Sequence, residues 1–155
     1  MADRHDTRSI AFYHNYHELL LESLTIHAAN VSVVEACLSG LKRLSFQSSQ
    51  VQEELAMMTK SFTRLCDVLC RYRETSGVMA VGLSLLCNLA RSVECSSCLL
   101  ESRLVSLAVS SLLQLQGNAD VVKYGAWMLC NILSHKAMPH NQVEEVSKIG
   151  GSDEK

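Results

Sequence analysis

The apolar positions of this chain fall at a helical spacing. Phe62, Leu65, Cys66, Leu69 and Cys70 recur at i, i+3, i+4, i+7 and i+8. Val105, Ala108, Val109, Leu112 and Leu113 repeat the same intervals. Such spacing puts each set on one face of an α-helix, where it can be buried together. The same test along the whole chain predicts helices near 10–27, 31–46, 50–57, 59–73, 77–91, 95–101, 103–115 and 119–134. Ser32, Ser49, Ser76 and Asn118 or Asp120 stand where a side-chain oxygen would cap the first turn of a helix. Gln116-Gly117-Asn118 reads as a helix stop and turn. After Pro139 the chain turns polar, which predicts a short helix near 140–148 and a disordered end.

These helical patterns repeat. Val78-Met-Ala-Val-Gly-Leu-Ser-Leu-Leu-Cys-Asn-Leu-Ala90 matches Val121-Val-Lys-Tyr-Gly-Ala-Trp-Met-Leu-Cys-Asn-Ile-Leu133 at Gly82/Gly125, Leu86/Leu129, Cys87/Cys130 and Asn88/Asn131. The shift is 43 residues, and it also carries the Phe62 set onto the Val105 set. A third copy, Val33-Val-Glu-Ala-Cys-Leu-Ser-Gly-Leu-Lys-Arg-Leu-Ser45, aligns at a shift of 45, with Cys37 in place of the glycine and Arg43 in place of the asparagine. A period of this length, with two helical patterns alternating inside it, is the mark of a helical repeat protein.

The stretch Gly125-Ala-Trp-Met-Leu-Cys-Asn-Ile-Leu133 resembles the third helix of an armadillo repeat, a family that includes importin-α and β-catenin. Val78–Ala90 resembles the same helix, and Leu104–Leu113 resembles the second helix that precedes it. The resemblance covers about residues 31–134 and is clearest from 59 onward. It implies an all-α fold, a short right-handed α–α superhelix of about three repeats. The expected division is a flexible start at 1–9, a cap at 10–30, repeats at 31–58, 59–101 and 102–136, and a tail at 137–155.

In that family the third helices line a concave groove, where an asparagine bonds the backbone of an extended peptide and a tryptophan one turn earlier walls a side-chain pocket. Position by position, the resemblance assigns Trp127 and Asn131 in the last repeat, Ser84 and Asn88 in the middle one, and Ser39 and Arg43 in the first. An asparagine amide both donates and accepts, so it can pair the backbone of a bound peptide that would otherwise be desolvated. A second role is open to Asn88 and Asn131: bonding the backbone of the neighbouring repeat. Trp127 likewise reads either as a groove wall or as core. The expected function is a non-enzymatic adaptor for a peptide or protein partner. The alternative is a structural subunit of a larger assembly that docks through its repeat ends with the groove empty. Each repeat is covered only by its neighbours, so the C-terminal edge, residues 119–149, is expected to dock on another protein or a second copy.

Composition adds limits. Apolar residues make up 48% and charged ones 19%, with a net charge of -2 and no basic block, so neither disorder nor nucleic-acid binding is expected. The longest charge-free runs, Thr75–Ala90 and Leu104–Ala119, are sixteen residues each, short of the ~20 a bilayer span needs, so no membrane partner is expected. Residues 1–8 do not read as a secretory signal. Seven cysteines, mostly inside apolar patterns, fit a reducing compartment, and the expected location is cytoplasmic, nuclear and cytoskeletal sites included. Cys95-Ser-Ser-Cys98 has metal-ligand spacing but lacks a second pair at zinc-finger distance. His14 and His17, beside Tyr13 and Tyr16, read as a partly exposed helix face. No phosphate loop, nucleophile elbow or paired buried carboxylates appear, so no catalysis, cofactor or metal is expected.

Overall fold

The computed structural model describes residues 15–58 and 60–136. Those residues form eight α-helices and no strand: α1 (Tyr16–Ile26), α2 (Val31–Ser45), α3 (Ser49–Met57), α4 (Ser61–Arg71), α5 (Ser76–Leu89), α6 (Val93–Glu101), α7 (Leu104–Gln114) and α8 (Ala119–Lys136). The all-α class and the eight predicted segments are found, with ends shifted by a few residues. The expected tail at 137–155, its helix near 140–148 and the first residues of the 10–27 segment lie outside the described residues.

The caps explain several of those shifts. Asn30 rather than Ser32 starts α2, its Oδ1 accepting the Val33 amide at 3.2 Å. Ser48 rather than Ser49 caps α3, and the backbone of Thr75 rather than Ser76 opens α5. Asn118 caps α8 as expected, accepting the amides of both Asp120 and Val121 at 3.1 Å. Between α2 and α3 the chain turns through Gln47 at φ 55, a left-handed conformation in which most side chains crowd the backbone.

The helices stack in three files. α1, α4 and α7 follow one another in the first, α2, α5 and α8 in the second, and α3 and α6 in the third. The sequence repeat becomes a spatial one, because neighbours in a file carry matching positions. The most extensive contacts run along the second file, where α5 lies between α2 and α8. That explains why α5 is apolar nearly all round: Val78, Met79, Leu83, Leu85, Leu86 and Leu89 are all buried. Each such side chain is worth about 1.5–3 kcal/mol relative to exposure. By contrast α4 keeps Thr63, Asp67 and Arg71 outside and buries Phe62, Leu65, Cys66, Val68 and Leu69. The segment expected as a separate cap contributes α1, which packs on α2 and α4. His17 on α1 is buried rather than partly exposed, while Tyr16 beside it is exposed.

Two glycines set how closely the first and second files approach. A β-carbon on Gly82 would collide with Cδ2 of Leu69. One on Gly125 would stand 2.8 Å from Cδ2 of Leu112. Leu69 and Leu112 are themselves repeat partners, so the same close contact is built twice. In the α1–α2 pair the contact moves along the helix to Gly40 and Leu20, which accounts for Cys37 standing where the other copies have glycine.

Candidate functional site

The six residues expected to form a binding surface all stand on the second file. Ser39 and Arg43 are on α2, Ser84 and Asn88 on α5, Trp127 and Asn131 on α8. Four-residue spacing makes two rows across that file: Ser39, Ser84 and Trp127 in one, Arg43, Asn88 and Asn131 in the other. The rows are uneven. Arg43 and Trp127 are exposed, Ser39, Asn88 and Asn131 are half-buried, and Ser84 is buried. Ser84 therefore offers no surface, because its short side chain is recessed where its counterpart Trp127 projects.

The asparagines take the inter-repeat role. Nδ2 of Asn88 donates to the Lys42 carbonyl of α2 at 3.0 Å, and Nδ2 of Asn131 donates to the Cys87 carbonyl of α5 at 3.0 Å. Each bonds the carbonyl just before its own counterpart in the preceding repeat. Both carbonyls lie in the last turn of a helix, where no intrahelical amide reaches them. A second Asn131 contact reaches Sγ of Cys87 at 3.7 Å, and His135 Nε2 lies 3.2 Å from the Ala90 carbonyl. A tie from the first file to the loop after α1 follows the same period: Tyr72 donates its hydroxyl to the Ala28 carbonyl at 2.9 Å.

The Cys95-Ser-Ser-Cys98 pair belongs to the same system. Cys95 Sγ donates to the Gln52 carbonyl at 3.0 Å, and Cys98 Sγ donates to the Ala56 carbonyl at 3.9 Å, both on α3. Burial pushes the Cys95 thiol up to about 11, which keeps it a neutral donor. Burial, with the nearby Cys70, does the same for Cys66, also to about 11. A thiol in that range is a poor nucleophile at neutral pH. Among the described residues no three of His, Cys, Asp and Glu converge where they could hold a metal ion.

Around Trp127 the open surface carries aromatic and basic side chains. Trp127 meets Tyr124 edge to face, with ring centroids 6.2 Å apart and planes at 74°. Lys123 Nζ lies 4.4 Å from the Tyr124 centroid and 2.7 Å from Asp120, whose carboxylate raises the lysine above its usual range. Trp127 was legible in the sequence; the tyrosine and lysine beside it were not singled out, although their spacing on α8 would have placed them there. Sequence reasoning also missed a cleft of about 250 Å³ between α4 and α7, lined by Cys70, Arg73, Arg103, Ser106 and Ser110 among others. Its serine hydroxyls are turned to the backbone of α7, Ser106 donating to Arg103 and Ser110 to Ser106. No single helix among the described residues is long and apolar enough to cross a membrane; α6 and α7 reach that length together but are bent by 77°. No family model, curated protein or solved structure matches this chain.

Proposed function

We propose that this chain is a non-enzymatic interaction module, an armadillo-like solenoid of about three repeats that binds a peptide or protein segment across α2, α5 and α8. The observation that carries the reading is the exposed Trp127, held edge to face by Tyr124 beside Asn131. A large aromatic ring with few rotatable bonds, left in water and fixed by its neighbour, supplies contact area at little entropic cost. Arg43 and Lys123 at the two ends of the surface add charge-assisted hydrogen bonding. The neutral, buried thiols support the non-enzymatic part. Because Asn88 and Asn131 are tied to the neighbouring helix, recognition rests on Trp127, Tyr124 and Arg43 more than on an asparagine ladder.

Random peptides displayed on phage and selected against the purified full chain test this reading. The selected peptide is then titrated by fluorescence anisotropy. Trp127→Ala is expected to weaken it about thirtyfold, the loss typical of a hot-spot aromatic. Ser97→Ala, on α6, should leave it unchanged. A selection that yields nothing above an unrelated control protein, or a peptide whose affinity survives Trp127→Ala, overturns the proposal.

A further inference from the structure

The stack ends on a face whose counterpart in the preceding repeat is buried. The second repeat carries Cys66 at 7% exposure, and Met79 and Ala90 at 0%, beneath the packing of the last repeat. Their counterparts 43 residues on are Val109 at 43%, Val122 at 38% and Leu133 at 62%. Leu113, the counterpart of half-buried Cys70, is 73% exposed. All four side chains are still apolar, and three of them, Val109, Leu113 and Leu133, are larger than their counterparts. Solvent exposure would not call for apolar residues at all four; a covering partner would.

What covers such a face is visible inside the molecule. On the second repeat, Leu65, Tyr72, Val78 and Leu89 are buried where that repeat meets the first, and Tyr72 donates its hydroxyl across the junction. Their counterparts 45 residues earlier, at the other end of the chain, are Leu20, His27, Val33 and Leu44. Leu20, Val33 and Leu44 are half-buried and His27 is exposed; Ala36, counterpart of half-buried Val81, is exposed as well. One chain thus carries both halves of a single kind of interface at opposite ends, continuous with the interface already used twice within it.

We infer that copies of this chain associate head to tail, the α7–α8 face of one copy receiving the α1–α2 face of the next. The joint extends the stack with the same packing that holds its repeats together and requires no ligand on α2, α5 and α8. Its two surfaces differ, so the contact is heterologous and leaves a free head and a free tail after every addition. Assembly therefore continues past the dimer.

Sedimentation velocity of the full chain tests this with two variants at exposed positions: Leu113→Glu on the tail face and Ala36→Glu on the head face. Circular dichroism verifies that both remain folded. The wild-type average mass is expected to climb beyond twice the monomer over roughly a hundredfold range of concentration. Each variant alone should weaken the joint about thirtyfold or more, because a carboxylate would be buried unpaired. An equimolar mixture of the two retains one intact head and one intact tail, and should form a one-to-one dimer and nothing larger. A wild-type chain that stays monomeric overturns the inference. So does a dimer that stops growing and survives Ala36→Glu, since that would be tail-to-tail pairing.

Discussion

Gly82 and Gly125 hold the same place in two repeats, yet a methyl group added to each should have different consequences. Alanine gains about 1 kcal/mol over glycine in a helix interior. Against that, crowding a packed core costs about 1–3 kcal/mol. The neighbour at Gly82 is Leu69, fully buried and unable to yield, so Gly82→Ala is expected to lower the urea midpoint, with a net loss of about 1 kcal/mol. The neighbour at Gly125 is Leu112, half-exposed and free to turn outward, so Gly125→Ala should be close to neutral. Equal losses at both sites would mean that the outer helix is as tightly held as the inner one. Cys95 makes a second residue-scale prediction. Its pKa is raised in the fold from 9.0 to about 11, chiefly by burial, so the fold favours the neutral thiol. That contribution is complete below pH 9.0 and fades as the pH rises toward about 11. Cys95→Ala should therefore show a shallower fall in melting temperature across this alkaline window than the wild type, although it starts lower. Parallel slopes would show that another group governs alkaline unfolding.

At the scale of elements, the hydrophobic period made the helices readable and left their connections hidden. Apolar spacing marked each buried face, and the shared Gly, Leu, Cys and Asn positions marked the repeat. The caps slipped by a residue or two because Asn30 and Ser32, or Ser48 and Ser49, are chemically equivalent candidates, and only backbone conformation decides which oxygen meets the amide. The partners of Asn88, Asn131, Cys95 and Cys98 were not legible, because each bonds a carbonyl 42–46 residues away, and every residue carries a carbonyl. Trp127 could be placed in register with Ser84 and Ser39, but whether it is groove wall or core depends on what stands next to the last helix, which no local pattern encodes. The asparagine ties can be separated by mutation. The Cys87 carbonyl accepts from the Asn131 amide, while the Lys42 carbonyl accepts both from the Asn88 amide and from the Ser45 hydroxyl at 3.2 Å. Asn131→Ala should consequently cost about 1 kcal/mol, near the net worth of one half-buried hydrogen bond, and Asn88→Ala less. Denaturation midpoints of the two variants, measured side by side, check the order.

Across the whole molecule, stability should vary along the stack rather than be shared evenly. A repeat in such an array is held by its own packing and by its neighbours, so the inner member has two interfaces and an end member has one. Here α5 is enclosed by α2 and α8, and its buried side chains belong to one continuous core. At the C-terminal end α7 and α8 leave Val109, Leu113, Val122 and Leu133 in water and contribute fewer side chains to that core. Local opening of α7 and α8 therefore gives up one junction, whereas opening α5 dismantles two at once. Native-state hydrogen exchange at dilution should find the slowest amides in α5, close to the global unfolding free energy, and faster exchange in α7 and the outer turns of α8. Raising the concentration should then slow exchange in α7, α8, α1 and α2 while leaving α5 unchanged, because only the end faces gain a partner. Uniform protection at every concentration would mean that the repeats unfold as one block and that neither end is completed by a neighbour.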